Sequence, residues 1–322
     1  METTQHLIPI RQSFNQVTVA GISVEDLLDA FLSDKSPRTL EAYRRDMVDF
    51  QTFLGATSMT EASRVLLSGG PGQANLLALR YKQHLHDRNL QSTTINRRLS
   101  ALRSLCLLAK TLGLIPWTLE IKNQKVVEYR DLRGPSTGGV KNLIRQVENR
   151  NDKKGIRDKS ILRLLYDLGL RRGEIVSLDL EDLDLEHKTL RILGKGRTQK
   201  EELTLPDRTT AALKDWIEVR GNLPGPLFVS FDPAQKGTGR LRGRSLHRIV
   251  SSLGAKIGIK VRPHAIRHSS ITEALRRAQA NGYDIEEVMD FSRHRDVRTL
   301  LVYRDKERDR QGCIASLVSE SV

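Results

Sequence analysis

The chain has 322 residues, enough for two ordinary domains with a core each. Its content of 38% hydrophobic and 29% charged residues fits a soluble globular protein, while a formal net charge of +14 asks for a polyanionic partner. Nucleic acid is the first candidate and an anionic membrane surface the second, because each neutralised phosphate releases counterions. No apolar run approaches the ~18–20 residues of a spanning helix, and the opening METTQHLIPIRQ lacks the apolar core of a signal peptide. Cys106 and Cys313 form no CxxC pair, so neither a disulfide framework nor a four-cysteine zinc site is available and a reducing cytosol is expected. A basic surface by itself does not separate an enzyme from a passive DNA binder.

Residues 1–20 are polar and aperiodic and read as a mobile arm. A helix follows at SPRTLEAYRRDMVDFQTFLG, with Ser36 as its cap and Pro37 in its first turn. Leu40, Tyr43, Met47, Phe50 and Leu54 recur at three- and four-residue steps and give it one buried face, and Gly55 ends it. SGGPG at 68–72 reads as a loop. QSTTINRRLSALRSLCLLAKTLG is a second helix, with Ile95, Leu99, Leu102 and Cys106 on its apolar stripe and Arg97, Arg98, Arg103 and Lys110 supplying charge. That charge suits either a solvated face or a helix laid along DNA. Residues 21–122 are thus expected to form a helical domain. NQKVVEYRDLRGPSTGG, 123–139, reads as an exposed linker. The half from 140 to 306 is expected to be mostly helical, with one strand pair, TLRILG and EELTLP, joined by a turn through KGRTQK. The fold class is therefore mainly α, with a small antiparallel hairpin or sheet in the second domain.

Four places in that half could do chemistry. In YDLGLRRGEIVSLDLE, Gly169 stops a helix and Arg171 and Glu174 open the next. Their i, i+3 spacing lets the carboxylate hold the guanidinium, although surface ion pairs of this kind are common. In GKGRTQKEE, Lys195 lies on a glycine-flanked turn from which it can reach into a groove; the spacing is not that of a P-loop. In VRPHAIRHSSIT, Pro263 fits the first position of a helix, so His264 and Arg267 face one way at its N-terminus, a setting suited to phosphate. His264 and His268 are also i, i+4 like a zinc pair, but the catalytic Glu of HExxH and a third ligand are missing. Last, HRDVRTLLVYRD holds His294 and Tyr303, with Leu300 and Leu301 packing beside the tyrosine on a late helix.

Taken in order, Arg171, Lys195, His264, Arg267, His294 and Tyr303 resemble the catalytic set of the tyrosine recombinase (phage integrase) family, particularly its compact Xer-like members. GLRRGE is similar to the family's first arginine box, GKG to its hairpin lysine and HAIRH to its second box, and TTINRRLSALRSL looks like the DNA-facing helix of its core-binding domain. Two positions depart from the pattern: Arg293 stands where the family commonly has glycine, and Ser292 where it usually has leucine.

The resemblance implies a site-specific recombinase that cuts and rejoins DNA through a 3′-phosphotyrosine, with strand exchange by way of a Holliday junction. Tyr303 would be the nucleophile, Arg171 and Arg267 the phosphate clamp, His264 the proton acceptor and Lys195 the general acid. His294 would bond the phosphate or position Tyr303, with Glu174 supporting Arg171. Thr93, Thr94, Asn96, Arg97, Arg98 and Arg103 would contact DNA. No cofactor or metal is implied. The expected partners are double-stranded recombination sites, further copies of the chain (a dimer per site and a tetramer on two) and accessory proteins, at the nucleoid in the cytoplasm and without a membrane. Residues 307–322, with Ile314, Leu317 and Val318 on one face, would form a helix docking on a neighbouring protomer. A type IB topoisomerase and an inactive DNA-binding protein on the same fold are the alternatives.

Overall fold

The structure is a computed structural model that describes residues 21–33, 37–126, 134–194, 196–232, 239–294, 296–301, 303 and 310–321. The arm 1–20, the proposed cap Ser36 and Lys195 lie outside the described residues. The chain forms two units, Met1–Tyr129 and Arg130–Val322.

The first unit is built from five helices: α1 (Val24–Ser33), α2 (Pro37–Leu54), α3 (Met59–Ser68), α4 (Gly70–Asp87) and α5 (Ser92–Thr111). The stripe expected on α2 buries Met47 and Phe50 fully, while Leu40, Tyr43 and Leu54 are half-buried at its edges. Gly55 takes φ +66° directly after the last turn, a conformation that favours glycine. Phe50 meets the edge of Tyr81 at 5.0 Å, and the Tyr81 hydroxyl donates to Asp49 at 2.7 Å. Burial, followed by that bond, pushes the phenol above its usual range. SGGPG is not a loop. α3 ends at Ser68 and α4 starts at Gly70, whose φ of +72° reverses the chain, and Pro71 suits a first turn that needs no N–H. On α5 the stripe Ile95, Leu99, Leu102 and Cys106 is fully buried, and burial pushes the Cys106 thiol up to about 12. The side chain of Cys313 lies outside the described ones.

The expected linker is shorter than its composition suggests. Asn96 donates to the Gln124 carbonyl at 2.9 Å and accepts from its N–H at 2.8 Å, which extends the first unit past residue 122. At the far end, Gly134 is packed rather than exposed: a Cβ there would meet the Ala265 carbonyl oxygen at 1.9 Å. Thr137–Gly139 already form the first turn of α6, which Ser136 caps by accepting from the Gly139 N–H at 3.2 Å.

The second unit runs α6 (Thr137–Glu148), α7 (Lys153–Asp167), α8 (Arg172–Ser177), a 3₁₀ turn at Leu180–Asp182, β1 (Leu183–Asp184), β2 (Thr189–Leu193), β3 (Lys200–Thr204), α9 (Asp207–Arg220) and α10 (Gly243–Lys256). It continues with α11 (Pro263–Ala280), α12 (Ile285–Ser292), α13 (Val297–Leu301) and α14 (Arg310–Ser319). The strand pair is a three-stranded antiparallel sheet in the order β1-β2-β3, with Leu193 opposite Lys200 and Ile192 opposite Glu201. Leu190 and Ile192 alternate inward and join the main core around Trp216, whose indole N–H donates to the Leu227 carbonyl at 2.8 Å. A smaller core gathers Ile271, Val288, Leu300 and Tyr303. The late helix is only five residues long, so Tyr303 lies beyond it, in a turn closed by its own N–H on the Leu300 carbonyl at 2.9 Å. No helix among the described residues is long and apolar enough to cross a membrane.

Candidate active site

The site is assembled where α8, α11 and the end of α12 meet the turn bearing Tyr303. Gly169, at φ +55°, breaks the chain after α7, and a Cβ there would come within 3.2 Å of the Ser270 hydroxyl. Arg171 then precedes α8. The Glu174 carboxylate accepts from the Arg171 backbone N–H and from its guanidinium, both at 2.8 Å. The carboxylate is buried and the guanidinium side chain 31% exposed, so one end of the pair faces outward and the other is locked.

Pro263 begins α11 as its fixed φ favours, placing His264 in the first turn. Arg267, one turn on, is only 1% exposed; its guanidinium donates to the Gly169 carbonyl and, at 2.5 Å, to the Ser292 carbonyl. It therefore ties three segments together directly beneath the site. Burial, then Arg171 and Arg293, destabilise the charge on Arg267. Burial, then Arg267 and Arg171, lower the His264 pKa. His294 is lowered to about 4 by burial and by Arg267, Arg171, Arg293 and His264. Three guanidiniums around one buried carboxylate thus make a cationic pocket in which imidazoles stay neutral and an anion is stabilised.

Tyr303 packs against two imidazoles, with ring centroids 5.3 Å from His294 and 4.9 Å from His268. The His294 Nδ1 is 2.8 Å from the Ser292 hydroxyl, and the Thr272 hydroxyl donates to the Tyr303 carbonyl at 3.1 Å. Arg171, Glu174, His264, Arg267, His294 and Tyr303 are accordingly gathered in one place, whereas Lys195, which falls between β2 and β3 in the sequence, lies outside the described residues. In the sequence His268 stands out only as a candidate zinc ligand; its i, i+4 step from His264 is the one signal that it shares a face with the site. Arg293 stands out there only as a departure from the family pattern, and nothing local signals its burial.

The suggested DNA-facing residues on α5 are already engaged within the first unit. Arg97 pairs with Asp46 and Arg98 with Asp49, while Arg103 donates to the Ile121 carbonyl and Asn123 at 2.7 Å each. Arg97 nevertheless keeps 42% of its side chain exposed, against 15% for Arg98. Thr93, Thr94 and Asn96 are half-buried.

Known proteins share both helical units. The pattern of the phage integrase family matches residues 138–310, and that of the phage integrase N-terminal SAM-like domain matches residues 24–111. A tyrosine recombinase of Synechococcus elongatus is 36% identical over 302 residues, covering 91% of this chain and 93% of that protein. One from Synechocystis is 33% identical, covering 92% and 95%, and the tyrosine recombinase XerC of Shewanella amazonensis is 31% identical, covering 83% and 85%. The chain belongs to the phage integrase family of tyrosine recombinases. Its fold is shared with the XerH site-specific recombinase bound to palindromic difH substrate, at a TM-score of 0.65 and 15% identity over 92% of this chain and 85% of that one. It is shared too with the Tn1549 transposon integrase in complex with transposon right end DNA, at 0.64 and 16% identity over 94% and 100%.

Proposed function

We propose that this recombinase cleaves DNA with Tyr303 as its nucleophile and rejoins it without a metal or ATP. The observation that carries the reading is the packing of the Tyr303 ring against both His294 and His268, beside the charge of Arg267. The phenol oxygen attacks a backbone phosphorus, an O–P bond forms, and the bond from phosphorus to the 5′-oxygen breaks. His264 takes the phenol proton, which suits an imidazole held neutral. Lys195 supplies a proton to the departing 5′-oxygen, which would otherwise leave as a poor alkoxide. Arg171 presents the exposed guanidinium to the charge that develops on the non-bridging oxygens, a kind of contribution worth about 3–4 kcal/mol per donor. Arg267 adds its field from below. The phosphotyrosyl ester retains the energy of the broken linkage, so a 5′-hydroxyl of a second strand can reverse the step and pass the reaction through a Holliday junction.

Assembly on DNA is part of the same reading. α14 leaves Leu317 and Val318 62% and 63% exposed, which favours docking on a neighbouring protomer in a dimer per site and a tetramer on two sites over a monomeric topoisomerase. The side chain of Ile314 lies outside the described ones. The proposed setting is the bacterial cytoplasm.

The nucleophile is tested with Tyr303→Phe on a nicked suicide substrate. Site binding is expected to persist and the covalent protein–DNA adduct to vanish from a denaturing gel; an adduct that persists would move the nucleophile elsewhere.

A further inference from the structure

Arg293 caps α12 in a left-handed conformation, φ +56° and ψ +40°, that favours glycine. A side chain retained there must have a use for its position. Its side chain is 6% exposed, and four of its five N–H donors make hydrogen bonds. One terminal nitrogen donates to the Leu168 and Phe291 carbonyls at 3.2 and 3.1 Å, and the other to the Gly169 carbonyl and the Glu174 carboxylate at 3.2 and 3.3 Å. The remaining donor, Nε, faces Glu201 Oε1 on β3 at 3.5 Å; both atoms are buried, and neither has a hydrogen-bond partner among the described residues. The other oxygen of Glu201 holds Arg197 at 2.6 Å, and Arg197 lies in the β2–β3 turn, its N–H on the Gly194 carbonyl at 3.1 Å.

The charges therefore alternate without a break from Arg171 through Glu174, Arg293 and Glu201 to Arg197. One end of this chain is the part-exposed Arg171 guanidinium, and the other is Arg197, two residues after Lys195 in the sequence. We propose that Arg293 is a positioning residue that couples the β2–β3 hairpin, and with it the general acid, to the phosphate-holding Arg171–Glu174 pair. This rests on the reading of Lys195 as the acid. The fork geometry is essential to it, since a lysine has only three donors and no planar fork with which to span both carboxylates.

The test separates proton donation from phosphate binding. Suicide substrates are made with the ordinary 5′-bridging oxygen or with sulfur in its place; a thiol with a pKa near ~8.5 leaves as thiolate without a proton. Arg293→Gly keeps the backbone conformation and removes the fork, and Glu201→Gln cuts the link to the hairpin without touching the Arg171 side. Both are expected to lose about 10- to 100-fold in cleavage of the oxygen substrate, part of the ~10²–10⁴ that a positioned acid contributes. On the sulfur substrate Glu201→Gln returns to within about 3-fold of the unsubstituted protein, while Arg293→Gly recovers in part, because it also frees the Glu174 that holds Arg171. Equal losses on the two substrates, or no loss on either, overturn the coupling. Lys195→Ala runs alongside: a failure of sulfur to rescue it overturns the acid assignment, and the inference with it. Rescue of Lys195→Ala but not of Glu201→Gln leaves that assignment standing and overturns the coupling alone.

Discussion

Tyr303 is at once a packed aromatic and the proposed nucleophile. It is 7% exposed and shares a small core with Ile271, Val288 and Leu300, yet its ring also packs against two imidazoles. Packing fixes the ring, and a fixed ring is what an in-line attack requires. The neighbouring histidines carry a pH signature. His294 has a folded-state pKa of about 4, below the ordinary ~6.5 of the unfolded chain. The unfolded state therefore binds more protons between those values, so the contribution of His294 to stability is complete above pH ~6.5 and is lost as pH falls toward about 4. His264, lowered by burial and by the same arginines, acts in the same direction. In the DNA-free protein an NMR titration should show the His294 imidazole neutral at pH 5. Arg171→Ala should move its midpoint upward, by removing one of the charges that depress it; a midpoint near 6.5 in the unsubstituted protein would contradict the cationic pocket.

At the scale of elements, the arginines of α5 differ in exposure, Arg97 lying outward at 42% and Arg98 inward at 15%. Asp46 is 2% exposed and burial raises its pKa against the pull of Arg97. Asp49 is drawn up by burial but ends lowered, because Tyr81, Arg88 and Arg98 bond to it. Arg98 is the inner partner, so Arg98→Ala should cost about 2–3 kcal/mol in chemical denaturation, below the usual loss for a broken buried pair because Arg88 still holds Asp49. Arg97 is the outer one. Arg97→Ala should cost less stability and reduce the slope of log affinity for DNA against log salt by about 0.9, as expected when one fewer phosphate is neutralised. An unchanged slope would make Arg97 a structural residue only. The β2–β3 hairpin shows the same division, with Leu190 and Ile192 inward and Glu201 linked to the site through Arg293.

Over the whole molecule, a net charge of +14 makes association with DNA strongly salt-dependent, whatever the site read. Specific exchange requires more than charge, and the apolar residues left on α14 point to protein contacts. A chain lacking 310–322 should bind a single site within about 3-fold of the full chain while paired-site complexes fall at least about 10-fold, as expected when a small apolar anchor is removed from an interface. Native gels with one and two labelled sites measure both, and undiminished pairing would exclude α14 as the docking element.

Helices α2 and α5, strands β2 and β3, and the order of residue types from Arg171 to Tyr303 are legible in the chain because each rests on a local pattern, whereas α1, α3, α4 and the short β1 are not singled out by one. A period of 3.6, a proline at a first turn or a glycine after a last one needs no distant partner. Where local chemistry misleads, the reason is tertiary. SGGPG looks like a loop, yet a single reversal at Gly70 (φ +72°) joins two helices there, and the linker looks exposed until Gly134 closes on α11. Residue types and their order in the chain are enough to say which groups could make an anion site and a nucleophile. Folding alone decides that His268 lies against Tyr303, that Arg267 is buried on carbonyls of two other segments, and that Arg293 is engaged at all. Three of the partners of Arg293 lie 119 to 125 residues earlier in the chain, and no periodicity reaches that far. A buried guanidinium is defined by the carbonyls and carboxylates that close around it, and those meet only when the fold is complete.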